Sequence, residues 1–138
     1  MAEDPELIAD TRAWLVKATS DLAAATLDLQ AQPPLTEDVV FHAQQATEKA
    51  LKGFLTFRGR VFRKTHNLVE LGESCAALDP TLTDLLKSAA RLTEYAWLFR
   101  YPGEPEAPSR EEAEEALATA RAVYHAILAR LPAQVATP

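Results

Sequence analysis

Six basic residues lie close together in the middle of the chain, and no Asp or Glu interrupts the stretch from Lys49 to Val69. They are Lys49, Lys52, Arg58, Arg60, Arg63 and Lys64. Cations gathered in this way repel one another and create a positive field that attracts anions such as phosphate. The alternative is that their aliphatic stems cover the end of a helical bundle while their charges stay in water.

The concentration of positive charge is unusual because the chain as a whole is acidic. Its 138 residues include 14 basic and 20 acidic side chains, for a net charge of −6. All 20 acidic residues lie outside the stretch, together with only 8 basic ones. The sequence therefore predicts that an anion such as a phosphate group binds at the basic stretch, unless the cations only cover the end of the bundle.

The residues before and after the basic stretch predict a central helix, a bend and a second helix. Two rows of apolar or small residues recur at helical spacing on neighbouring faces of the first helix. The rows are Val39, Ala43, Ala46, Ala50 and Phe57, and Val40, Thr47, Leu51 and Leu55. Such a helix is contacted from two sides. Gly59 is expected to end it, and Thr65 or Asn67 to cap the helix that follows.

Two of the lysines lie on a polar face of the central helix. Lys49 and Lys52 share this face with Gln45, so a phosphate can meet two ammonium groups one turn apart, with an amide that recognises a base or ribose edge. In the alternative interpretation, Glu48 pairs with Lys52 at i,i+4 spacing and the face is only solvated.

The remaining segments also carry helical patterns with start and stop signals. Asp4 with Pro5, Asp79 with Pro80, and the capping box of Ser109 with Glu112 mark helix beginnings. We expect helices near residues 4–31, 36–58, 66–78, 80–100 and 109–131, followed by a loose tail at 132–138. With no strand pattern, these elements predict one all-α domain over residues 1–138, an antiparallel up-and-down bundle of about five helices.

Composition narrows the class of protein. One cysteine, Cys75, cannot form an internal disulfide, the first residues lack a hydrophobic signal core, and no apolar run reaches membrane-spanning length. A cytoplasmic location is the simplest interpretation. The four glycines are scattered, and no histidine belongs to a metal-ligand motif. We therefore expect no metal site and no cofactor.

Three segments together resemble a known family. QQATEKALKGFL at residues 44–55, THNLVEL at 65–71 and the RYP of Arg100, Tyr101 and Pro102 are similar to segments of the HEPN domain family, small helical nucleotide-binding domains. The resemblance implies a helical bundle that usually dimerises and that in bacteria often accompanies a minimal nucleotidyltransferase in a toxin–antitoxin pair. It also adds Arg100 and Tyr101 as ligand-site candidates. Their structural alternatives are an Arg that offsets a helix C-terminus and a Tyr packed under the proline loop.

Some HEPN proteins are metal-independent ribonucleases that use an Arg followed four to six residues later by a His. Arg60 and His66 have this spacing, and His66 can then act as general acid or base while Arg60 or Arg100 stabilises charge on phosphorus. The family motif is expected near the fourth helix, where this chain has Arg100 but no His until His125. His66 alternatively contacts phosphate without catalysis, or is a residue of a helix cap.

Three hypotheses follow for function. The first is a nucleotide- or RNA-binding HEPN-type module that forms a homodimer and works with a nucleotidyltransferase partner. The second is a metal-independent endoribonuclease toxin that uses His66 with Arg60 or Arg100. The third is a protein-binding adaptor without nucleotide affinity. The first hypothesis assigns phosphate binding to nine residues. They are Lys49, Lys52, Arg58, Arg60, Arg63, Lys64, His66, Arg100 and Tyr101.

Overall fold

The computed structural model describes residues 4–99, 102–103 and 106–136. These residues form six α-helices and two 3₁₀ segments, and they contain no β-strand. The helices are α1 (Pro5–Gln30), α2 (Thr36–Phe57), α3 (Leu68–Leu78), α4 (Thr83–Ala89), α5 (Arg110–Leu128) and α6 (Ala133–Ala136). The 3₁₀ segments are Pro80–Leu82 and Ala90–Ala96. The prediction of an all-α helical bundle is confirmed.

Helix α2 is the centre of the bundle. It packs most extensively against α1 and also contacts α5, α3 and the second 3₁₀ segment. Every residue of the two predicted rows is buried except Phe57, which is partly buried against the core at the end of the helix. Phe54, between the rows, is among the largest fully buried side chains. Burial of side chains on neighbouring helix faces requires partners on both sides. The prediction of a central helix contacted from two sides is therefore correct.

Side-chain caps begin several helices where the sequence predicts them. An Asp4 carboxylate oxygen accepts the backbone N–H of Glu6 at 3.0 Å, and Ser109 and Glu112 form the reciprocal capping box. Asn67, not Thr65, caps α3, because its side chain accepts the backbone N–H groups of the two residues that follow Leu68. Each cap satisfies helix-end donors that would otherwise have no partner.

The continuous fourth helix predicted over residues 80–100 is wrong. The chain instead forms the 3₁₀ segment Pro80–Leu82, the short helix α4 and the 3₁₀ segment Ala90–Ala96. Asp79 does cap this region as expected, and its side chain accepts the backbone N–H of Thr81 at 3.0 Å. The predicted beginning of the segment is therefore correct, and its predicted helix type is not.

The second half of this segment is a 3₁₀ segment that packs on α2 and α3. Leu86, Ala89 and Leu92 are buried at intervals of three residues, a spacing that fits a 3₁₀ segment as well as an α-helix. The hydroxyl of Thr93 accepts a hydrogen bond from the backbone N–H of Leu68 at 3.0 Å. This bond satisfies a donor in the first turn of α3. The sequence pattern cannot separate the two helix types, and contacts to α2 and α3 decide between them.

Part of the tail that follows α5 is helical. Helix α5 ends at Leu128, and α6 lies within the tail that the sequence predicts to be loose. Val135 and Leu131 are buried there, and α6 packs against α1. Both apolar side chains belong to the hydrophobic core, and their burial favours the observed position of α6.

Candidate functional site

A tight turn at the end of α2 forms the corner that carries the basic residues. The backbone N–H of Gly59 donates to the carbonyl of Thr56, and the N–H of Arg60 donates to the carbonyl of Leu55. This pair of bonds is a Schellman motif, which requires a left-handed residue at its centre. Gly59 has a φ of +69° and fills that position without steric cost. The predicted helix end is confirmed, and residues 58–67 form the corner loop.

An aromatic side chain anchors the corner loop to the bundle. Phe62 packs edge-on against Trp14 of α1, with 6.1 Å between the ring centroids. The Lys52 ammonium lies 5.5 Å from the Trp14 ring centroid and 5.9 Å from that of Phe62, a cation–π arrangement with both rings. The loop is therefore fixed to α1 and α2 by its middle residue, while the residues on either side of Phe62 are exposed.

A buried carboxylate below the loop is shared by several donors. Glu48 Oε1 accepts the Nδ1–H of His66 at 2.7 Å and the side-chain amide of Gln44 at 3.2 Å. Glu48 Oε2 accepts from the Lys52 ammonium at 2.9 Å. Only 4% of the Glu48 side chain and 7% of the Lys52 side chain are exposed. Gln44 also donates to the backbone carbonyl of His66 at 3.2 Å, so that both the ring and the backbone of His66 are held from α2.

A second carboxylate occupies the interface between α1 and α2. Asp21 of α1 accepts from His42 Nδ1 at 2.8 Å and from the Lys49 ammonium at 2.6 Å. The Asp21 and Lys49 side chains are mostly buried, and the His42 ring is partly exposed. The polar face of α2 is therefore occupied by contacts within the bundle, and Lys49 has a protein carboxylate in the position that a phosphate would take.

The corner loop itself leaves three cations open. Arg58, Arg60 and Lys64 are exposed, and within the described part of the chain no carboxylate lies within ion-pair distance of them. Arg58 also packs against the Phe54 ring at 5.6 Å. Arg63, in contrast, donates to both carboxylate oxygens of Glu70 at 2.8 and 2.9 Å, in an exposed ion pair.

A shallow cleft opens between the corner loop and α3. It is lined by Arg60, Val61, Ser74, Ala77 and Leu78. The Val61 side chain is fully exposed at its edge. The cleft thus places three apolar side chains, Val61, Ala77 and Leu78, and the Ser74 hydroxyl next to an open guanidinium group. Such a combination suits a flat ring attached to an anionic group.

The predicted binding residues lie in different environments in the structure. Arg58, Arg60, Lys64 and His66 are exposed on one loop, and Arg63 lies on the same loop in an ion pair. Lys49 and Lys52 are not open to a ligand, because both are paired with carboxylates in the bundle. The remaining candidates, Arg100 and Tyr101, lie outside the described residues. The cationic surface supported by the structure is therefore narrower than the predicted one.

Two carboxylates that pair with predicted binding lysines, Glu48 and Asp21, are missing from the sequence prediction. Glu48 does have a visible signal, the i,i+4 spacing to Lys52, which indicates the ion pair but not the contact with His66. No local sequence pattern indicates the contacts of Asp21, because its partners lie 21 and 28 residues away along the chain. Contacts at such separations depend on how α1 docks against α2.

Within residues 4–99, 102–103 and 106–136, no three His, Cys, Asp or Glu side chains are grouped so that they could hold a metal ion. Over the same ranges, no helix is long and apolar enough to cross a membrane.

The fold and the corner define a class: an all-α bundle with an exposed cationic loop between its second and third helices. A family model for the HEPN domain matches residues 11–131, nearly the whole chain, so the chain belongs to the HEPN family. No curated protein and no solved structure matches the sequence. Membership makes the protein a nucleotide- or RNA-related helical module.

Proposed function

We propose that the corner loop binds the phosphate groups of a nucleotide or of RNA. The observation that carries this proposal is the difference between two sets of cations in the same stretch. Lys49, Lys52 and Arg63 are neutralised by carboxylates, whereas the loop retains open cations. The open cations are Arg58, Arg60 and Lys64.

The electrostatics of the whole chain support the same ligand class. The protein has a net charge of −6, so a polyanion is repelled by most of its surface and attracted at the corner. Arginine forks and lysine ammonium groups donate to phosphate oxygens with charge-assisted hydrogen bonds. The cleft beside Arg60 supplies an apolar surface for a base. These features favour binding by phosphate contacts, with weak sequence preference.

The test is a charge exchange with a matched control. We expect Arg60→Glu with Lys64→Glu to weaken binding of a fluorescent single-stranded RNA at least tenfold and to reduce the salt slope of log Kd by about 1.4, the value for two lost phosphate contacts. Lys17→Glu with Lys87→Glu changes the net charge equally at two exposed lysines on α1 and α4. Equal weakening in both variants would refute a specific site.

A second candidate function is metal-independent RNA cleavage by His66. The observation that favours it is the buried Glu48, which holds one nitrogen of an imidazole whose side chain is 70% exposed. A carboxylate that orients a histidine is a common arrangement in general acid–base catalysis. Arg60, on the same loop, would stabilise charge on phosphorus, and Arg100 would take that role otherwise.

The two functions are separated by one variant. Cleavage of RNA that persists in EDTA and disappears in His66→Ala supports the nuclease. Salt-sensitive binding without cleavage supports the binding module. Capture of a protein partner without any affinity for nucleotide supports the adaptor hypothesis instead.

We further propose the assembly that family membership suggests. The chain is a single domain in the cytoplasm, forms a homodimer and works with a minimal nucleotidyltransferase in a toxin–antitoxin-like pair. Val16 and Leu27, exposed apolar residues of α1, are candidates for the dimer contact. Light scattering tests the dimer, because a mass near the monomer value of 15.1 kDa in dilute solution contradicts it.

A further inference from the structure

The side chain of His66 is fixed at one nitrogen and open at the other. Its Nδ1 lies 2.7 Å from the buried Glu48 Oε1, while 70% of the side chain is exposed. The backbone carbonyl of His66 is held independently by Gln44. The ring therefore has a set orientation, with Nε2 as the nitrogen left without a protein partner among the described residues.

The surroundings of Glu48 determine which nitrogen of His66 carries the proton. The Glu48 carboxylate already has its counterion, because the buried Lys52 ammonium lies 2.9 Å from Oε2. A paired, ionised carboxylate accepts hydrogen bonds and donates none, so Nδ1 must be the donor. A neutral imidazole is sufficient for this bond, and in that state Nε2 presents its lone pair outward.

This arrangement gives the corner loop one hydrogen-bond acceptor in addition to its three open donors. The open side chains of Arg58, Arg60 and Lys64 can only donate, and they suit phosphate oxygens. An acceptor on the same loop suits a hydroxyl group close to a phosphate. In a ribonucleotide this group is the ribose 2′-hydroxyl, which deoxyribose lacks.

We propose that Glu48 is a positioning residue that holds His66 with Nδ1 turned inward, so that Nε2 faces solvent as an acceptor for a ribose hydroxyl and the corner loop prefers ribonucleotides over deoxyribonucleotides. The inference rests on the proposed phosphate binding, and it adds the sugar as the discriminating group. Lys52 supports the arrangement by balancing the Glu48 charge.

The first test reads the imidazole directly and needs no ligand. Nitrogen chemical shifts of the histidine rings, recorded at alkaline pH and assigned with His66→Ala, report which nitrogen is protonated. We expect the Nδ1–H form for His66 in the native protein. Replacement of the buried pair by Glu48→Leu with Lys52→Met removes the acceptor, and His66 should then shift toward the Nε2–H form. His42, held in the same way by Asp21, should not change.

The second test measures sugar preference with two probes that differ only at the 2′ position. We expect oligouridylate to bind about fivefold more tightly than oligodeoxyuridylate of the same length, the factor expected for one neutral hydrogen bond. His66→Ala and the Glu48→Leu, Lys52→Met variant should both lose this preference. The Lys17→Glu, Lys87→Glu control should retain it. Far-UV circular dichroism confirms that each variant is folded.

The outcomes separate the two proposals. An Nε2–H form of His66 in the native protein overturns the positioning role, whether or not RNA binds. Equal affinity for the two sugars, with binding still dependent on Arg60 and Lys64, overturns sugar selection and leaves phosphate binding in place. Absence of binding to either probe overturns both sugar selection and phosphate binding.

Discussion

Replacing the buried ion pair under the corner loop tests the structural basis of the site. The three variants are Glu48→Leu, Lys52→Met and the double replacement, which together form a double-mutant cycle. Both side chains are almost completely buried, and their charged atoms lie 2.9 Å apart. Removal of either partner leaves the other charged group buried without its counterion.

The expected magnitudes follow from the neighbours of each charge. Loss of one partner of a buried ion pair costs about 3–5 kcal/mol. We expect the lower end for Glu48→Leu, because the Lys52 ammonium keeps the Trp14 and Phe62 rings, a cation–π attraction of up to about 2 kcal/mol. We expect about 3 kcal/mol for Lys52→Met also, because Glu48 keeps its bonds from His66 and Gln44.

The double replacement should cost much less than the sum of the single ones. Leu and Met have volumes similar to those of the residues that they replace, and no charge remains buried, so we expect a loss of about 1.5 kcal/mol or less. The coupling free energy is then about 4.5 kcal/mol or more. Since domains of this size unfold at a cost of about 5–15 kcal/mol, the single variants should still fold.

Urea unfolding followed by circular dichroism measures these free energies, and the chain supplies a matched control. Arg110 and Glu114 of α5 form an ion pair at the same i,i+4 spacing, but both side chains are more than half exposed. Its cycle should give a coupling of about 0.5 kcal/mol or less. Additive effects at Glu48 and Lys52, similar to those at the exposed pair, would refute the electrostatic reasoning.

Three other predictions concern stability. Burial raises the pKa of the Cys75 thiol from 9.0 to about 12, so the folded state keeps a proton that the unfolded state releases. The free energy of unfolding should therefore fall as pH rises from 9.0 toward about 12. Urea titrations at several pH values measure this fall, and it should be smaller in Cys75→Ala. An equal fall in both proteins contradicts the burial effect. Ser109→Ala removes the capping box of α5 and should cost about 1 kcal/mol, measured by the same titration, and an unchanged midpoint contradicts it. Gly59→Ala meets no atom within 4 Å but strains a residue at φ +69°, so thermal unfolding should show a loss of about 1 kcal/mol from backbone strain alone.

Local signals in the sequence predict much of the fold. Asp4, Asn67 and Ser109 each act as a cap, and Gly59 ends α2, because these features depend only on neighbouring residues. The buried rows of α2 likewise follow from spacing along one helix. The segment after Asp79 escapes prediction, because its apolar spacing fits two helix types and tertiary contacts select between them.

The candidate site is less predictable than the fold for a physical reason. The sequence shows where cations are concentrated, but the availability of each cation depends on distant partners. Lys49 is neutralised by Asp21 across the interface of α1 and α2, and no local pattern indicates that contact. Lys52 is neutralised by Glu48, one turn earlier, and here the sequence offers the pairing as an alternative.

A map of ligand contacts measures the proposed site most directly. Backbone amide and arginine side-chain NMR shifts would be followed while the native protein is titrated with a short single-stranded RNA. We expect the largest changes at residues 58–66, with saturation that weakens as salt increases. Changes centred elsewhere on the bundle, or an unchanged spectrum at millimolar RNA, would contradict phosphate binding at the corner loop.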